Sequence, residues 1–135
     1  MMGRWPLLST VFLSALFSVR RKADRVFLMK TENVFDAIPA NLPEEISQTL
    51  LERDGIRIER IVSKGQASPQ DFWYDQAEHE WVMLLAGGAG LEIEGEEGFR
   101  KLKVGDCLLL PAHQRHRIAW TDAQTETIWL GVFFR

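Results

Sequence analysis

The chain has 135 residues, 46% of them apolar and 26% charged, with a formal net charge of −3. That length and mix describe one folded domain. The acidic balance argues against a nucleic-acid-binding surface, which needs clustered positive charge, and the single cysteine, Cys107, excludes an internal disulfide.

Residues 5–19 form a mostly apolar stretch followed by Arg20, Arg21 and Lys22. It is short for a transmembrane helix, which needs about 20 apolar residues. It resembles the apolar part of a signal peptide, yet no small-x-small cleavage site lies after it. Three basic residues lie beyond it against one, Arg4, before it, which opposes export of the C-terminal part of the chain. A cytoplasm-facing anchor fits this pattern, and so does a native start at Met29, which is the preferred reading. Residues 1–28 are therefore set apart, and residues 29–135 are read as one cytoplasmic domain without a membrane segment.

Residues 31–42 mix apolar and turn residues and read as a lead-in arm. Val34, Phe35, Ile38 and Leu42 are too apolar to float free, so the arm should pack on a barrel edge or a neighbouring subunit. Pro43, Glu44 and Glu45 followed by Ile46, Leu50 and Leu51 predict one short helix, because proline and acids suit a first helical turn. Gly55 would end it.

Beyond Gly55 the period becomes that of strands. About eight are expected, over 56–61, 72–76, 80–86, 90–94, 99–104, 107–110, 116–121 and 127–134, spaced as in an all-β sandwich or closed barrel. Residues 81–86 form a continuous apolar run, as in a strand covered on both sides. Gly87, Gly88 and Gly90 suggest a hairpin loop after it, and residues 95–98 a second hairpin turn. Cys107 falls in an apolar strand and reads as a small core residue.

Tyr74, Gln76, Glu78 and Glu80 share one parity and would project from one face of an extended strand. His79 has the opposite parity and should point outward. A row of polar groups opening into a barrel of short strands suggests a pocket. His113 and His116 lie among polar and basic neighbours, and either could be a plain surface residue.

These residues resemble the cupin superfamily of small jelly-roll β-barrels, over roughly residues 56–133. One motif runs from Gly105 through five residues to Pro111 and then to His116, which falls on the metal-ligand position. His113 replaces the glycine usual in that turn, and Trp120 stands where an asparagine is common. In the other motif, Glu80 is followed by Gly87 at the expected spacing, but Gln76 and Tyr74 occupy the two histidine positions. The resemblance implies an all-β jelly-roll barrel carrying the arm and the short helix.

The resemblance also implies a small polar ligand inside the barrel and a divalent metal held by Glu80, His116 and Gln76. Tyr74, Glu78, His113 and Trp120 are the further pocket candidates. A carboxylate and an imidazole suit Zn, Fe, Mn or Ni, although a firm site usually has three protein ligands. Two readings stay open. One is a metal-dependent enzyme such as a dioxygenase, isomerase or lyase. The other is a metal-free sensor or binding module, in which Glu80 and His116 are a hydrogen-bonded polar pair. Cupins often pair through exchanged edge strands, so a homodimer is expected.

Overall fold

The computed structural model describes residues 30–135. The expectations for residues 1–28 lie outside the described residues. Among the described residues no helix is long and apolar enough to cross a membrane.

Over the described residues the fold is all-β, built from eight strands: β1 (Ile46–Arg53), β2 (Ile56–Ser63), β3 (His79–Ala86), β4 (Gly88–Ile93), β5 (Arg100–Lys103), β6 (Cys107–Leu110), β7 (His116–Thr121) and β8 (Thr127–Phe134). They form a five-stranded sheet in the order β1-β2-β8-β3-β6 and a three-stranded sheet in the order β5-β4-β7. All pairs are antiparallel. Side chains alternate between faces along each strand, so the inward sets of the two sheets meet. Val82, Leu84, Ala89, Leu91, Leu102, Leu110 and Trp129 make the buried core between them.

The predicted helix is a strand. Asp54 and Gly55 have φ of 52° and 79°, and Arg53 pairs with Ile56 across them. Two positive φ values in a two-residue loop make the tight turn that matches strand twist, for which Asp-Gly is a strong signal. The register shifts between Thr49 and Leu51, which leaves Leu50 as the extra residue of a bulge. That bulge breaks the period-two pattern of β1, and the remaining Ile46–Leu50 spacing imitates a helix. Conversely, the strand expected over 72–76 is reduced to one bridge, Tyr74 to His116. The total of eight strands is reached with one gained before Gly55 and one lost after it.

Two local expectations also change. Gly87 alone of the three glycines has a positive φ, 76°, and the chain there crosses from one sheet to the other rather than closing a hairpin. A Cβ on Gly87 would lie 2.5 Å from Thr127 Oγ1 and 2.6 Å from the Glu126 carbonyl oxygen. Cys107 is exposed on β6, an edge strand, instead of buried.

The arm covers the outer face of the large sheet of its own chain. Ile38 and Leu42 pack on Val62 and Ile128. Arg60, buried on that face, donates to the carbonyl oxygens of Val34 at 2.8 Å and Asp36 at 2.7 Å, and to Gln48. Phe35 stays half exposed.

Candidate functional site

Strand parity aims the inward side chains of β2, β3, β7 and β8 at one space, a cavity of about 100 Å³. Val82, Leu91, Leu110, Ile118, Trp129 and Phe133 form its apolar wall. Glu45, Ser47, Glu59, Tyr74, Gln76, Glu80 and His116 are its polar lining. Glu59 pairs with Gly131, and Glu80 Oε1 lies 3.7 Å from where a Cβ on that glycine would sit.

Glu80 and His116 are both buried, at 7% and 5% exposure. Glu80 is on β3 and His116 opens β7, in different sheets, so only closure of the barrel brings them together. His116 Nε2 lies 3.7 Å from Glu80 Oε2. His116 Nδ1 is 2.9 Å from the Gln114 carbonyl oxygen. A carbonyl only accepts, so Nδ1 carries the proton and Nε2 of the neutral ring presents a lone pair. Burial lowers the His116 pKa below its ordinary value, and the Gln114 carbonyl works in the opposite direction without overcoming it. The nearby Glu80 would favour a charged ring, but at 3.7 Å it makes no direct hydrogen bond, and desolvation prevails. Gln76 Nε2 donates to Glu80 Oε2 at 2.6 Å. Tyr74 stacks on the His116 ring, with centroids 5.3 Å apart.

Glu45 and Glu59 are cavity residues that the sequence reading missed. Ser63 Oγ donates to Glu45 at 2.7 Å, and Ser47 Oγ donates to Glu59 at 2.8 Å. Burial raises the Glu45 pKa, and the Ser63 bond offsets part of that. Arg57 Nε reaches Glu59 at 2.6 Å while its Nη1 holds Glu78 at 3.1 Å. Burial works against the Arg57 charge, yet its two carboxylates outweigh that and raise its pKa. The Arg57 guanidinium also lies over the Phe133 ring, 4.5 Å from the centroid. The signal for Glu59 was its shared parity with Ile61 and Ser63. Glu45 carried no such signal once residues 43–51 were read as helix.

Three other candidates stand outside the cavity lining. Glu78 shares the parity of Glu80, but β3 begins at His79 and the backbone bends at Ala77 and Glu78. Parity does not carry through such a bend, and Glu78 turns to Arg57. His113 is a turn residue with φ of 63°; its side chain is 70% exposed and contacts Asp75 at 2.8 Å. Trp120 packs edge-on to Phe99 and across Gly90, on the face of β4 opposite Leu91. His79 Nδ1 accepts the Ala112 N–H at 3.0 Å and its ring lies near Phe134, away from Glu80.

For a divalent metal the donor set is short. Among the described residues, no three His, Cys, Asp or Glu side chains converge as a metal centre would need. Glu80 and His116 could supply one oxygen and one nitrogen, but the Gln76 amide directs its NH₂ group, not its oxygen, at Glu80. Two ligands do not make a firm site.

No protein-family model matches the chain, and no curated protein does. Solved structures do. A Ralstonia eutropha JMP134 protein, described as a candidate mannose-6-phosphate isomerase, is 52% identical, with a TM-score of 0.75, over 78% of this chain and 97% of that one. A cupin superfamily protein from Desulfitobacterium hafniense is 19% identical, with a TM-score of 0.58, over 72% of this chain and 83% of that one. KdgF from a Halomonas species is 17% identical, with a TM-score of 0.56, over 68% and 81%. The last two speak for the fold alone. Two antiparallel sheets closed around a cavity with a partly polar lining define a jelly-roll barrel, and the chain has the cupin fold.

Proposed function

We propose that this chain is a small-molecule-binding cupin that takes a polar ligand into the barrel, against Glu80, His116, Glu45 and Glu59. The observation that carries this reading is an apolar-walled cavity into which polar groups from several strands converge. There, neutral His116 would accept a proton or hydrogen bond at Nε2 while Glu80 and Gln76 orient the bound group. The same pair could move a proton between Nε2 and a ligand atom, which is the chemistry an isomerase needs. The Ralstonia relative's description as an isomerase points the same way for the reaction class, and its sugar-phosphate substrate is not carried over.

A metal-dependent enzyme is the second reading, favoured by the Nε2 lone pair and the Glu80 oxygen facing each other. The two-ligand donor set weighs against it. A cytoplasmic, homodimeric protein completes the proposal, on the basic residues after the apolar N-terminal stretch and on the habit of the family.

The test is a thermal-shift screen of small polar compounds, with metal content measured on untagged protein. Saturable stabilisation that is lost when Ile118→Trp fills the cavity supports the binding reading. Stoichiometric metal, lost in His116→Ala, would replace it with the metal enzyme.

A further inference from the structure

The charge and size of the cavity narrow the ligand class, an inference that rests on the cavity being a ligand site. Three carboxylates line it: Glu45, Glu59 and Glu80. Among the described residues, none of those lining it is Lys or Arg. The adjacent cation, Arg57, is held between Glu59 and Glu78 and lies against Phe133. His116 is neutral, because burial lowers its pKa. An incoming anion would meet negative potential within walls that screen it poorly. Phosphate recognition calls for Arg, Lys or a helix N-terminus. The cavity lining offers neither side chain, and the described residues contain no helix.

Size points the same way. A cavity of about 150 Å³ holds a benzene-sized molecule, and this one is about 100 Å³. A hexose phosphate is far larger than that and would have to extend out of the cavity mouth. A small cation suits what is present: three carboxylates, and the rings of Tyr74 and Trp129 in the lining. Aromatic faces attract ammonium groups, most strongly when water is excluded.

We infer that the cavity's ligand is a small organic cation of the alkylammonium class, and that phosphate esters are excluded from it. Glu45 is the carboxylate best placed to answer the incoming charge. It accepts a hydrogen bond from the neutral Ser63 hydroxyl, and burial already disfavours its ionised form. A bound cation would favour ionisation, so at a pH where Glu45 is still partly protonated binding releases protons.

The experiment compares three probes smaller than benzene on the full chain, at pH 7 and about pH 5: ethylammonium, ethanol and inorganic phosphate. Binding is read by calorimetry in two buffers of different ionisation enthalpy. The expected result is saturable binding of ethylammonium, with proton release at the lower pH. The alcohol should bind about tenfold more weakly, as loss of charge and cation–π attraction implies, and phosphate not at all. Glu45→Gln should weaken the ammonium about tenfold and abolish proton release, with its unliganded melting temperature confirming that it folds. Equal binding of the alcohol would overturn the inference and leave the binding cavity standing. Saturable phosphate binding that Ile118→Trp abolishes would reverse the ligand class. Binding of none of the three, by parent protein of confirmed fold, would overturn the inference; the broader screen then decides whether the cavity binds other polar molecules.

Discussion

His116 turns its unprotonated Nε2 toward Glu80 Oε2 at 3.7 Å while the Gln114 carbonyl anchors its Nδ1 at 2.9 Å. The carbonyl fixes both the tautomer and the ring, and so decides which nitrogen meets the cavity. A base held in this way, with its pKa lowered by burial, is ready to accept a hydrogen bond at neutral pH.

Stability should therefore depend on this histidine in acid. A His pKa lowered in the folded state means that the unfolded chain binds the proton more readily. The stabilisation by the neutral ring is full above the unfolded pKa of about 6.5. It declines as pH falls below that value and is gone once pH passes the folded pKa. Melting temperatures of the parent and His116→Gln between neutral pH and about pH 5 should converge with falling pH. Parallel curves would rule out His116 as the titrating group.

Glu80 and Glu78 should differ in substitution. Glu80→Ala removes a buried acceptor from Gln76 and should cost about 2 kcal/mol. Glu78→Ala removes a partly exposed ion pair with Arg57 and should cost about 0.5 kcal/mol. Chemical denaturation measures both. The reverse order would contradict the bend at residues 77–78.

Gly87 should not tolerate a side chain. Its φ of 76° and the 2.5 Å approach to Thr127 Oγ1 add backbone strain to a clash. Gly87→Ala should lower stability by roughly 3 kcal/mol. Gly55→Ala, with a similar φ of 79° but open space around it, should cost only about 1 kcal/mol. Equal losses would mean that the packing at the sheet crossover contributes little.

Removing residues up to 42 should destabilise the barrel from outside. The deletion uncovers Val62 and Ile128 and takes the Val34 and Asp36 acceptors from buried Arg60. A loss of about 3 kcal/mol is expected from apolar exposure and the orphaned guanidinium. An unchanged denaturation midpoint would show that the arm does not hold this face.

The β-rich architecture and the inward placement of Glu80 and His116 are legible in the order of residues. Alternation within an unbroken strand is local, and the Glu80–Gly87 and Gly105–Pro111–His116 spacings are backbone requirements written in glycine and proline. The Asp54–Gly55 turn was equally legible, but the Leu50 bulge blurred the pattern before it and hid β1. Which polar groups share the cavity is a matter of tertiary closure. Glu45 and Glu59 reach it because β1 folds back on β2 and the two sheets close. Glu78 leaves it because Arg57, 21 residues earlier in the chain, offers a closer charge. Cys107 shares the parity of exposed Leu109 rather than of buried Leu110, and that outer face of β6 stays exposed. Each outcome depends on a partner distant in sequence, and hydrophobic periodicity carries information about neighbours only.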